Sequence, residues 1–158
     1  MEIFLQASDI LNFAVRIEED GEVFYRKAAS LAGEEATKKL FVRLADEEIG
    51  HKRLFQSMLS KLEEYAPTES YSGEYMAYLR DYIDNKVIFT KEREKQFSNL
   101  KDTLSAIDFA MERELDSILY YQEARQFIIE KQRSAVDNII AEERRHFALL
   151  AEVKKNYR

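Results

Sequence analysis

Two short segments hold the residues most capable of chemistry. Glu48-Ile49-Gly50-His51 and Glu143-Arg144-Arg145-His146 each place a histidine three residues after a glutamate. On a helix that spacing puts both side chains on one face, a turn apart, within reach of the same ion. The chain contains 2 histidines, and each closes one of these segments. An isolated glutamate precedes each segment at nearly the same distance, Glu18 before Glu48 and Glu114 before Glu143. Carboxylate oxygen combined with imidazole nitrogen suits iron or manganese, with zinc as an alternative and cobalt or nickel less favoured.

The surrounding sequence predicts four long helices that bring these residues together. The first runs from about Ser8 to Ala32, with Ser8 or Asp9 as its cap and Gly33 as its end. Its inward seam is Leu11, Ala14, Glu18, Gly21, Tyr25 and Ala28, alternating in steps of three and four. The second runs from about Glu34 to Tyr65, with Phe41, Leu44, Glu48, His51, Phe55, Met58 and Leu62 on its seam. The short junction at Ala32-Gly33 makes these two an antiparallel hairpin. Pro67 to Gly73 has turn composition. From about Glu74 to Lys101 a helical crossover, in one piece or two, presents a weaker apolar face of Tyr75, Tyr78, Tyr82 and Phe89. The third long helix spans about Thr103 to Glu130, with Ile107, Ala110, Glu114, Ser117, Tyr121, Ala124 and Ile128 inward. After a connection near Lys131 to Arg133, the fourth spans about Ser134 to Asn156, with Val136, Ile139, Glu143, His146, Leu150 and Val153 inward.

The two hairpins repeat one another. Phe13-Ala14, Glu18, Tyr25 and Ala28 match Phe109-Ala110, Glu114, Tyr121 and Ala124, and Glu47-Glu48-x-x-His51 matches Glu142-Glu143-x-x-His146. Facing each other about a pseudo-twofold axis, they would pool four glutamates and two histidines at one level of the core. A buried carboxylate costs several kcal/mol unless its charge is compensated. No lysine or arginine stands on the four seams. Two divalent cations neutralise four carboxylates, which makes a dinuclear metal site the expectation. The symmetric assignment gives Glu18 and His51 to one ion and Glu114 and His146 to the other, with Glu48 and Glu143 bridging. Gly21 and Ser117 beside the ligands leave space next to the ions or allow close helix packing. Tyr25 and Tyr121, two turns beyond Glu18 and Glu114, are the candidate catalytic phenols, able to hydrogen-bond a ligand carboxylate or serve as core aromatics.

Composition narrows the function. With Cys 0, disulfides, iron-sulfur clusters and thiolate metal sites are excluded. A net charge of -6 without a basic stripe argues against nucleic acid. No apolar run is long enough to span a membrane, and the first residues lack the basic start of a signal peptide. At 158 residues, one domain over 1–158 and a cytoplasmic location are expected.

The stretch Phe13 to Tyr25 resembles the first helix of rubrerythrin-type domains. Leu44 to His51 and Ile140 to Phe147 resemble their two Glu-x-x-His helices. The donor set is that of ferritin-like di-metal carboxylate proteins. The resemblance covers nearly the whole chain and is weakest from Pro67 to Lys101. It implies an all-α, ferritin-like four-helix bundle of two related hairpins, holding two iron ions that react with hydrogen peroxide or oxygen. Full rubrerythrins also carry a cysteine-ligated rubredoxin domain that passes electrons to the iron; this sequence has no cysteine to build one, so an external electron donor is implied. Peroxidase-type members place an additional glutamate one turn beyond the ligand matched by Glu114, where this chain has Ser117. The expected function is therefore a di-iron oxidoreductase, active as a homodimer. Iron oxidation, storage or delivery, and a structural bundle with zinc or no metal, are the alternatives.

Overall fold

The computed structural model describes residues 7–62, 73–82, 84 and 91–157. Its helices are α1 (Ala7–Leu31), α2 (Glu35–Ser60), α3 (Gly73–Tyr82), α4 (Lys91–Ser98), α5 (Thr103–Ala124) and α6 (Glu130–Lys154). Single 3₁₀ turns follow α5 at Arg125–Phe127 and α6 at Lys155–Tyr157. No strand occurs among the described residues. The fold is an all-α bundle in which α1 pairs with α2, α5 pairs with α6, and α1 lies against α5. No described helix is long and apolar enough to cross a membrane.

All the seam positions are buried except Leu62 and Val153, which are partly covered. The buried hydrophobic residues form two separate clusters. One holds Ile10, Leu11, Phe55, Met58, Tyr121 and Ile139; the other holds Phe24, Phe41, Leu44, Ile107 and Leu150. Full burial of each large side chain is worth about 1.5–3 kcal/mol, so both ends of the bundle are well secured. The glutamate and histidine layer lies between these clusters.

Several boundaries differ from the sequence reading. α1 is already helical at Ala7, so Ser8 and Asp9 lie inside it, with Asp9 placing an acidic group in the first turn. Gly33 has no left-handed φ; its N–H instead donates to Thr103 Oγ1 at 3.2 Å, tying the first hairpin to the start of α5. α5 is capped by Asp102, whose Oδ1 accepts from the Ser105 N–H at 2.7 Å while Ser105 Oγ accepts from the Asp102 N–H at 3.4 Å. α5 stops at Ala124 rather than near Glu130, and α6 begins at Glu130, so Lys131 to Arg133 are helical. The break is carried by extended Ile128 and Ile129, with Arg133 Nε donating to the Ile128 carbonyl at 3.0 Å. α2 ends at Ser60, short of Tyr65. The Pro67 turn lies outside the described residues, as do the side chain of Tyr75 and the whole of Phe89.

Among the described residues the crossover contains two helices, α3 and α4. Its buried face is Leu79 and Tyr82, whereas Tyr78 is 46% exposed. Tyr82 donates to the carbonyl of Asp116 at 2.5 Å, Arg93 pairs with the Asp116 carboxylate, and Lys27 Nζ donates to the Phe97 carbonyl at 2.6 Å. These contacts fix the crossover against α5 and α1, beside the level of the polar layer.

Candidate metal centre

The polar layer draws one turn from each long helix. α1 supplies Glu18, α2 supplies Glu48 and His51, α5 supplies Glu114, and α6 supplies Glu143 and His146. None of the six is more than 5% exposed. Their donor atoms converge as two groups of four, each within 4.8 Å: Glu18, Glu48, His51 and Glu143; and Glu48, Glu114, Glu143 and His146. The groups share Glu48 and Glu143, the two residues assigned as bridges. His51 Nδ1 lies 2.9 Å from Glu143 Oε1 and 3.4 Å from Glu18 Oε2. His146 Nδ1 lies 3.2 Å from Glu143 Oε2 and 3.6 Å from Glu114 Oε1. The imidazoles stack, with centroids 5.8 Å apart and planes at 17°.

The outer nitrogens of both histidines are held by residues the sequence reading left without a role. His51 Nε2 meets Glu142 Oε2 at 2.5 Å, and His146 Nε2 meets Glu47 Oε2 at 2.6 Å. Each orienting carboxylate therefore comes from the opposite hairpin. A carboxylate on Nε2 fixes the ring and turns Nδ1 toward the other donors. The signal was the repeated Glu-Glu doublet, Glu47-Glu48 and Glu142-Glu143, whose first member faces the neighbouring hairpin. Arg43 Nε also bonds Glu47 at 2.9 Å. Burial opposes ionisation of Glu47, but the bonds from Arg43 and His146 hold its carboxyl below the usual range.

The tyrosines cross in the same way. Tyr25 on α1 donates to Glu114 Oε1 on α5, and Tyr121 on α5 donates to Glu18 Oε1 on α1. Burial first, then the carboxylates nearby, push both phenols well above the usual value, so both keep their protons. Buried Arg113, also missed in the sequence, donates to the Ile17 carbonyl at 3.0 Å. Gly21 admits Glu48: a Cβ there would sit 2.5 Å from Glu48 Oε2 and 3.3 Å from Arg113 Nη2. For Ser117, the structure shows a buried position on α5 between Glu114 and Tyr121.

Four carboxylates so close cannot all ionise without compensation. Burial, followed by repulsion from Glu18 and Glu143, raises Glu48 well above the usual range, and burial followed by Glu143 does the same to Glu114. Glu143 stays low despite its burial because the Glu114 carboxyl and the His146 and His51 imidazoles lie against it and favour its charged form. Burial pulls the histidines down, but Glu143 and Glu18 bring His51 up to about 12, and Glu114 and Glu143 bring His146 up to about 10. Without metal, the layer thus keeps protons between its donors. The donor set fits a pair of cations on a second ground. Four buried side-chain atoms of the two groups, Glu18 Oε2, His51 Nδ1, Glu143 Oε1 and His146 Nδ1, make no well-directed hydrogen bond among the described residues, although His51 Nδ1 and Glu143 Oε1 lie only 2.9 Å apart. Such poorly satisfied atoms are costly in a folded core, and a cation bound in each group removes that cost.

A family model described as Rubrerythrin matches residues 9–154. The chain is also similar to a Thermotoga maritima protein of solved structure, provisionally described as a ferritin-like diiron-carboxylate protein, at 28% identity and a TM-score of 0.77 over 100% of both chains. No curated protein matches it.

Proposed function

Because the chain belongs to the rubrerythrin family, we propose that it is a di-iron oxidoreductase that reduces hydrogen peroxide or oxygen with electrons from an external donor. The observation that supports this reading is the pair of four-donor groups sharing Glu48 and Glu143, with donor atoms in both that lack a well-directed hydrogen bond. Glu18 and His51 would hold one ion, Glu114 and His146 the other, and Glu48 and Glu143 both. An iron pair bound there supplies one-electron redox steps and Lewis acidity toward oxygen species.

The protein side of the reaction follows from the cluster. Glu47 and Glu142 hold the imidazoles in the tautomer that leaves Nδ1 free for the ion. Tyr121 and Tyr25 keep a proton next to Glu18 and Glu114, where a reduced oxygen species would need one. The two apolar clusters close the bundle on either side of the layer along its axis.

The test is anaerobic ferrous loading followed by separate mixing with peroxide and oxygen, monitored optically. About two irons per chain and oxidation by either oxidant are expected. Glu143→Ala should lose both ions, since Glu143 belongs to both groups. Wild-type behaviour in that variant would refute the assignment, and many irons per chain in a closed shell would indicate storage instead.

A further inference from the structure

A file of tyrosines leads from the surface to the polar layer. Tyr78 on α3 is 46% exposed. Its ring stacks on Tyr82 at 6.3 Å and 22°, Tyr82 stacks on Tyr120 at 6.5 Å and 13°, and Tyr120 meets Tyr121 edge-on at 5.8 Å. Tyr121 then donates its hydroxyl hydrogen to Glu18. All three separations lie in the range of direct ring contact. The inner hydroxyls are paired, Tyr82 with the Asp116 carbonyl at 2.5 Å and Tyr120 with the Ile10 carbonyl at 2.7 Å.

The internal repeat supplies a comparison within the same molecule. Tyr25 matches Tyr121, but the residue matching Tyr120 is Phe24. Around Tyr25 the rings are Phe24 and Phe41, and Phe24 in turn touches Phe97 and Phe109. Phenylalanine therefore satisfies core packing at the position beside Tyr25, whereas the matching position beside Tyr121 is Tyr120, with Phe55 on the other face of Tyr121. The chemical difference is that a phenol gives up an electron, with its proton, far more readily than a benzene ring.

We infer that Tyr78, Tyr82, Tyr120 and Tyr121 form a one-electron relay between the buried metal pair and an external one-electron donor that acts at Tyr78. The inference rests on the oxidoreductase reading above. Reduction of oxygen to water takes four electrons, of which a ferrous pair supplies two, so the rest must come from outside the site. In the relay the Tyr121 O–H bond breaks, its electron going to the oxidised site and its proton to the Glu18 carboxylate. Tyr120 refills Tyr121, and the proton returns to the Tyr121 oxygen. As Tyr120 loses its electron, its hydroxyl proton shifts along the hydrogen bond to the Ile10 carbonyl oxygen, and it returns when Tyr82 refills Tyr120. The Tyr82 proton moves to the Asp116 carbonyl oxygen and back in the same way when Tyr78 refills Tyr82. Exposed Tyr78 releases its proton to water and regains one when it is refilled. The donor refills Tyr78. In sum, the donor loses one electron, the site gains one, and no tyrosine is consumed.

The experiment treats iron-loaded full-length protein with peroxide in the presence of a radical-trapping nitroxide, with peptide mapping by mass spectrometry and electron paramagnetic resonance. Wild type should carry the trap at Tyr78. Tyr120→Phe and Tyr82→Phe, which keep the rings, should each lower the Tyr78 label to the level of metal-free protein. In Tyr120→Phe the tyrosyl signal should persist at Tyr121, and off-path Tyr157 should label as in wild type. Peroxide consumption with equal Tyr78 labelling in wild type and both variants would overturn the relay alone. Failure of wild type to consume peroxide or oxygen would overturn the oxidoreductase reading and the relay with it.

Discussion

Gly21→Ala separates the needs of the fold from those of the metal. A methyl at that position would lie 2.5 Å from Glu48 Oε2, 3.0 Å from Glu48 Cδ and 3.3 Å from Arg113 Nη2. Two effects compete. Inside a helix, alanine is favoured over glycine by about 1 kcal/mol, which for a chain of this size corresponds to a gain of about 2–4 °C in Tm. The obstructing atoms are the free end of a glutamate, which can rotate aside at less cost than backbone could. The metal-free variant should therefore be as stable as wild type or slightly more so. The metal-bound form should suffer, because the displaced carboxylate belongs to both four-donor groups. Losing an orienting partner of a metal ligand already costs roughly 10–100-fold in affinity, and displacing a shared ligand should cost at least that, for both ions. Thermal melts with and without ferrous iron, together with metal titration, read the two effects separately. The increment in Tm on loading should shrink while the metal-free Tm holds. Two ions bound per chain with wild-type affinity would refute the reasoning, as would a metal-free Tm several degrees lower.

Other perturbations address the remaining parts of the centre. Glu47→Ala should weaken chiefly the ion at His146 and Glu142→Ala chiefly the ion at His51, each by about 10–100-fold; calorimetry should show one weak and one tight step, and equal weakening of both steps would count against the crossed assignment. Metal uptake near neutral pH should release protons, because His51 and His146 hold theirs to about 12 and about 10 in the metal-free state and the ion requires bare nitrogen. Affinity should then rise with pH, and titration heats that do not vary with the buffer's ionisation enthalpy would contradict this. The same raised values stabilise the metal-free fold fully below the ordinary value of 6.5, and that contribution is lost as pH climbs through about 10 and then about 12. Asp102→Ala removes the α5 capping box and should cost about 1 kcal/mol with iron content unchanged; loss of iron would show that α5 is less rigid than its packing implies.

The seams were legible in the sequence because burial in a bundle of long helices follows a short period. Polar residues at Glu18, Glu48, His51, Glu114, Glu143 and His146 interrupt that period conspicuously. The break between α5 and α6 was not legible. No glycine or proline lies between Arg125 and Arg133, and Ile128 points inward whether the backbone there is helical or extended, so the seam continues across the break. The break is accompanied by side-chain contacts that the period does not encode, Arg125 Nε on Asp137 at 2.6 Å and Arg133 on the Ile128 carbonyl. Glu47 and Glu142 were hidden for a related reason. They stand one position off the seam, where a glutamate normally faces solvent, and only the neighbouring hairpin gives them histidines to hold. Tyr78 shows the limit of periodicity in a short helix: it shares the apolar pattern of Tyr82 but remains 46% exposed.

The division of the core into two apolar clusters with a charged layer between them has a dynamic consequence. Helices ordinarily fray from their ends, and their middles open last. Here both ends are sealed by close-packed rings and aliphatic chains, while the middle turns meet across groups that repel one another until protons or cations intervene. Backbone amide hydrogen exchange around Glu18, Glu48, Glu114 and Glu143 should therefore be faster in the metal-free protein, where only shared protons bridge the layer, than in the iron-loaded protein. An ion entering the layer would then use an opening built into the middle of the bundle, with the rest of the fold still closed.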